Sequence, residues 1–199
     1  MSNVVTRKML TYLAIGVPLG ALVSASGSKD NLCGIRRDGK YVQIPLQAYE
    51  LWHKALDGVD EDGLRETAAQ NYDLEDFSDN LAWFVESHLL LPWSGQESDF
   101  GKFGDIRVIP CGIGAGNSVD DPARFAILSR HDAVPALWVD FLAYIIWSFC
   151  DGVATLDEAC LAAANHTHVA ASEVRQRALT LLPALMRNGL AFIDLAVRA

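Results

Sequence analysis

One pattern, A-Y-x-[LI]-W, occurs twice in the chain, as Ala48-Tyr49-Glu50-Leu51-Trp52 and as Ala143-Tyr144-Ile145-Ile146-Trp147. Both copies are followed within six residues by Asp-Gly, Asp57-Gly58 and Asp151-Gly152, where glycine can take the left-handed conformation that ends a helix. A second helical pattern then follows in each, Glu61 to Asn71 and Thr155 to Asn165, the latter opened by Thr155 and Glu158 at capping-box spacing. Next comes a longer amphipathic stretch. Leu74, Phe77, Leu81, Phe84 and Val85 share one helix face in copy one, and Val174, Ala178, Leu181, Leu182 and Leu185 share one in copy two. Each copy closes on an apolar run suited to a strand, His88 to Trp93 and Gly189 to Ile193.

The correspondence extends upstream. Arg36-Arg37-Asp38-Gly39, a hairpin turn between Leu32–Ile35 and Tyr41–Ile44, matches Arg130-His131-Asp132-Ala133. The Gly-broken apolar segment from Ala14 to Gly20 matches Cys111 to Gly116. The shared order over roughly ninety residues per copy argues for a duplicated module. The expected fold is therefore α+β: tandem winged-helix-like modules, each a small antiparallel sheet packed on three helices, because neither layer alone buries enough apolar surface. Module 1 is expected over residues 1–95 and module 2 over 105–199, joined by a polar linker over 96–104 within the stretch Ser94 to Gly104.

Composition narrows the function classes. The 16 Lys and Arg against 25 Asp and Glu leave a formal charge of −9, which disfavours a polyphosphate partner unless basic residues gather locally. Arg7 and Lys8 before the apolar run Met9 to Val23 outline a secretory signal, but Gly16, Pro18 and Gly20 break that run and it has a counterpart later in the chain. A cytoplasmic protein without a membrane span is the expectation.

Residues 143–193 resemble the PqqD-like family of peptide recognition elements, which bind the leader peptides of ribosomally made, modified peptides. The residues that carry the resemblance are Ile146-Trp147-Ser148-Phe149-Cys150-Asp151-Gly152, then Thr155-Leu156-Asp157-Glu158-Ala159, a helix from about Ser172, and the Gly189-Leu190 turn into a last strand. A weaker second copy covers residues 10–93. The resemblance implies a small binding module without a cofactor, which holds a peptide as an added strand on a sheet edge beside its third helix. The implied edge is Arg124 to Ser129 and the implied helix Val174 to Arg187, so the implied peptide-binding residues are Arg124, Phe125, Ile127, Ser129, Val174, Arg175, Arg177, Ala178 and Leu181.

No catalytic site is expected. The four cysteines form no CxxC pair and have no histidine at zinc-ligand spacing, so buried thiols are the simplest reading. His166-Thr167-His168 lacks a third ligand in its turn and reads as a solvated loop, while His53 and His88 suit helix ends. Gly112 to Asn117 lacks the spacing of a phosphate loop and precedes Asp120-Asp121, so it reads as a flexible turn. Asp57, Asp60, Glu61, Asp62 and Glu66 complement a helix dipole rather than bind metal. Tyr49 with Trp52 and Tyr144 with Trp147 read as core packing, whereas Trp93 and Trp138 are expected partly exposed and able to anchor a partner. Pro183 is expected to kink the last helix.

These residues point to a non-catalytic peptide- or protein-binding protein, with a precursor peptide and its modifying enzyme as the partners the resemblance implies; a homodimer is compatible. The alternatives are a winged-helix transcriptional regulator and an accessory subunit of an enzyme complex. For DNA, the third helical segment of copy one carries Glu75, Asp76, Asp79 and Glu86 and is repelled, which leaves Arg175, Arg177 and Arg187 of copy two.

Overall fold

The computed structural model describes residues 10–23, 29–71, 77–102, 106–130 and 135–195. Among these the chain is α+β, with seven α-helices and eleven strands in small antiparallel sheets. The first half runs β1 (Thr11–Ala14), β2 (Val17–Val23), β3 (Lys29–Arg37), β4 (Lys40–Pro45), α1 (Leu46–Lys54), β5 (Val59–Asp60), α2 (Glu61–Asn71), α3 (Phe77–Glu86) and β6 (Leu90–Trp93). After the short helix α4 (Ser98–Lys102), the second half runs β7 (Ile106–Pro110), β8 (Ile113–Asn117), β9 (Arg124–Leu128), β10 (Pro135–Asp140), α5 (Phe141–Ser148), α6 (Leu156–Thr167), α7 (Ala171–Arg187) and β11 (Ala191–Leu195).

Strand pairing recurs along with element order. β1 pairs with β6 as β7 pairs with β11, and the meander β2-β3-β4 is matched by β8-β9-β10. Even the short ladder of β1 with β5 has a counterpart in the isolated bridge between Arg107 and Thr155.

Local chemistry explains the elements. Asp38 and Gly39 both have positive φ, 50° and 68°, the two-residue turn whose twist suits the β3–β4 hairpin. The matching turn at 131–133 lies outside the described residues, as do Leu74, Glu75 and Asp76. α6 opens with the expected capping box: Thr155 Oγ1 accepts the Glu158 amide at 3.2 Å, and Glu158 returns a carboxylate oxygen to the Thr155 amide at 2.8 Å. Asp60 accepts the Gly63 amide at 2.9 Å at the start of α2, with Glu61 and Asp62 in the first turn, so the acidic run there serves the helix end. α7 continues through Pro183, where the kink is expected. Pro183 has no amide for the Leu179 carbonyl four residues back, and the Trp93 indole N–H donates to that carbonyl instead, at 3.1 Å.

Several expectations are corrected. Trp93 is only 3% exposed, because its position at the end of β6 places it against α7. Gly112 to Asn117 is not a turn throughout: residues 113–117 form β8, since paired with β9 even a Gly-rich stretch completes a ladder. His166 and Thr167 belong to α6, and His168 caps it in the left-handed conformation, so this triplet is a helix end and not a loop. The stretch expected as a linker holds α4, and Asp99 within it is 1% exposed, accepting the Ser94 amide and hydroxyl and the Gln96 amide.

Two cores form, and they share a sheet. Tyr12, Ala14 and Leu90 face a core completed by Leu51, Trp52, Leu64, Phe77 and Phe84 of the first half. Leu13, Ile15, Leu91 and Trp93, the alternate residues of the same two strands, face the core built by α5, α6 and α7. The chain crosses between the halves at Gly16 (φ 111°), whose amide donates to the Ile193 carbonyl at 2.7 Å. A Cβ there would lie 2.6 Å from Ile35 and 2.8 Å from the Arg36 carbonyl oxygen, so only glycine fits. Of the apolar run suspected as a signal, β1 and Ile15 enter the cores, while β2 pairs with β3 and leaves Leu19 49% exposed. Among the described residues no helix is long and apolar enough to cross a membrane.

Candidate peptide-binding edge

The strand nominated as an edge is not one. β9 carries Arg124, Phe125 and Ile127 and lies between β8 and β10, so its backbone groups are paired on both sides. Ile127 is fully buried, Phe125 and Ser129 are half-buried, and only Arg124 is exposed. On α7, Val174, Ala178 and Leu181 are at most 3% exposed and belong to the core. Their helical spacing is what turns them inward, and that spacing does not distinguish a core from a groove.

The edges of this sheet are β8 and β10. β10 is the one tied to α7. Its last residue, Asp140, accepts the Ala143 amide at 2.8 Å as the N-cap of α5 and takes an ion pair at 2.8 Å from Arg177 of α7. Burial raises the Asp140 carboxyl, but the Ala143 amide and the Arg177 guanidinium more than offset it, so its pKa lies below the ordinary aspartate value. Glu173, Gln176, Arg177 and Thr180 follow helical spacing along one polar stripe of α7, and Thr180 accepts from Arg177 at 2.9 Å.

A run of aromatic rings crosses one face of this sheet, from Phe141 just after β10 to Tyr144 and Trp147 against Gly114 of β8. Phe141, Phe125, Tyr144 and Trp147 pack in sequence at centroid distances of 5.6, 5.0 and 5.9 Å, and on the other face of the sheet Arg124 stacks over Trp138 at 5.5 Å. Trp138 and Phe141 keep 38% and 49% of their surfaces in solvent. Trp138, expected to be partly exposed, is so. Phe141 and the β10 backbone were missed, although Pro135 and Asp140 bracket a short apolar run that reads as a strand.

The first half lacks this arrangement. β4 ends in Pro45, which caps α1 with no side-chain bond, and α3 holds no lysine or arginine. Its exposed rings include Tyr41 and Trp83.

Burial raises all four cysteine thiols. Burial, reinforced by the neighbouring Cys160 and Asp151, pushes the Cys150 thiol up to about 12; burial with Asp157 pushes Cys160 to about 12 as well. Cys33 and Cys111 are also raised by burial. All four are free thiols. Among the described residues no three or more His, Cys, Asp or Glu side chains are placed to hold a metal ion. The chain matches no family model, no curated protein and no solved structure.

Proposed function

We propose that the chain is a non-catalytic peptide-binding protein, built from two copies of one winged-helix-like module, that takes an extended peptide as an added strand on β10. The observation that carries this reading is the edge of β10, unpaired among the described residues, joined to α7 through Asp140 and Arg177 and flanked by exposed Trp138 and Phe141. An added strand gains main-chain hydrogen bonds along an unpaired edge, and aromatic side chains beside it anchor alternate residues. The resemblance of residues 143–193 to the PqqD-like elements supports the same mode, moved one strand outward from β9. A leader-type peptide and its modifying enzyme are the corresponding partners, acting inside the cell.

The competing DNA reading is disfavoured by charge. Arg175 donates two bonds to Asp157, at 2.6 and 3.0 Å, and Arg177 is held by Asp140, so neither guanidinium is free for a phosphate. Arg187 is the exposed member of the three.

A random peptide library selected against the protein, followed by amide hydrogen exchange with the enriched peptides, tests the proposal. Protection of residues 136–140 is expected, reduced by Trp138→Ala. Failure to enrich any peptide, or protection that leaves β10 untouched, defeats it.

A further inference from the structure

The two halves also meet at a polar junction that the strand-addition reading does not use. Asp194 on β11 is 1% exposed, and its carboxylate collects the Asp38 amide from the β3–β4 turn at 2.8 Å and the Arg107 guanidinium from β7 at 3.1 Å. Arg107 Nε is buried with no hydrogen-bond partner among the described residues, as are Arg37 Nε and one Asp38 oxygen in the hairpin. A buried polar atom normally finds a partner, and of these three residues Arg107 is the one that lines the neighbouring cleft.

Next to this junction opens a cleft of about 280 Å³, lined by Arg36 and Gly39 of the hairpin, Arg107 and Ile109 of β7, and Asp151 and Gly152 of the α5–α6 loop. Its charges are arranged for a ligand with both signs. The Arg36 side chain is exposed and makes no hydrogen bond or ion pair among the described residues. Asp151 uses only Oδ1 internally, accepting the Val153 and Ala154 amides at 2.8 Å each, which leaves Oδ2 open. Arg36 and Arg107 are balanced by Asp151 and Asp194, so the lining with its supporting carboxylate sums to no net charge. A phosphate dianion would enter uncompensated, in a chain that already carries a formal charge of −9.

We infer that this cleft binds a free α-amino acid, its carboxylate toward Arg36 and Arg107, its ammonium toward Asp151, and a small apolar side chain against Ile109. The volume is just below the range of ordinary small-molecule sites, which suits a ligand of that size. Because the walls come from both halves, an occupant bridges them.

The test is calorimetric titration of the full chain with individual amino acids, with acetate, inorganic phosphate and ethylamine as probes that carry charge of one sign. An aliphatic amino acid is expected to bind and each of these probes to bind at least about tenfold more weakly, the cost of one lost charge-assisted contact. Arg36→Gln and Asp151→Asn are exposed changes, and the second keeps the Oδ1 acceptor; each is expected to weaken binding about tenfold or more. Equal binding of acetate or phosphate, indifference to both variants, or no heat at millimolar amino acid overturns the inference. Arg36→Gln leaves peptide protection of β10 unchanged, so failure here is distinguishable from failure of the strand-addition reading.

Discussion

The paired strands β1–β6 and β7–β11 occupy equivalent places in the two halves, yet only the first pair is apolar on both faces. Tyr12, Ala14 and Leu90 point one way, Leu13, Ile15, Leu91 and Trp93 the other, and each set enters a different core. In β7–β11, Ile106, Val108, Ala191 and Ile193 enter one core, while Arg107 and Asp194 face each other across the ladder on the far side. A strand pair apolar on successive residues needs a core on each face, whereas the face of β7–β11 that carries Arg107 and Asp194 is covered by the β3–β4 turn, which leaves Asp194 1% exposed. The two halves are therefore not equal beads: the first lends its sheet to the second, and the second returns a polar face that forms the junction. Each large apolar side chain buried there contributes about 1.5–3 kcal/mol, so the shared sheet binds the halves firmly.

The strongest way to break this contrast is at the polar face. Asp194→Ala removes the carboxylate that, among the described residues, holds Arg107 and the Asp38 amide, and is expected to cost about 3–5 kcal/mol in urea unfolding, since it strands a partly buried guanidinium. A loss under about 1 kcal/mol would show that water serves that face as well as Asp194 does.

Leu13→Ala tests the apolar pair. It lies in the first half but faces the second core, and a loss of about 2–4 kcal/mol is expected in one cooperative transition. Two separate transitions, with only one of them shifted, would show the halves to be independent.

The duplicated tryptophans offer a smaller, sharper test. Trp52 donates its indole N–H to the Ile15 carbonyl at 3.1 Å, whereas the Trp147 N–H is buried without a partner among the described residues. Trp52→Phe is expected to cost about 1 kcal/mol more than Trp147→Phe in the same assay. Equal costs would mean the two sites are equivalent after all.

The smallest effect is electrostatic and belongs to the second half alone. The Asp140 pKa is depressed in the folded state, so its contribution is present above the unfolded value and is lost as pH falls through the folded one. Asp140→Asn, which keeps an N-cap acceptor, is expected to flatten the acid side of the stability profile below about pH 4. An unchanged acid slope would show that the pair with Arg177 is fully screened.

Much of the local structure was readable before any coordinates. The capping box at Thr155, the hairpin at Asp38-Gly39 and the helix over Glu61–Asn71 each depend on residues close in sequence, where short-range sterics and hydrogen bonding decide. Element order and the doubling of the pattern were legible for the same reason. The edge of the second meander was not. Recognising β10 rather than β9 as the edge strand required knowing which strands pair, and pairing is set by contacts between residues far apart in the chain.

The sequence by itself determined the mixed α+β class and the repeated order of elements, because each is written in periodicity and neighbouring residue types. Tertiary structure alone decided that Trp93 is buried against the Leu179 carbonyl that Pro183 leaves without an amide, that β1 and β6 serve two cores, and that Arg36, Arg107 and Asp151 line one cleft. The physical reason is the same in each case. Such features arise where segments distant in sequence exclude water together, and no local pattern records which segments those will be.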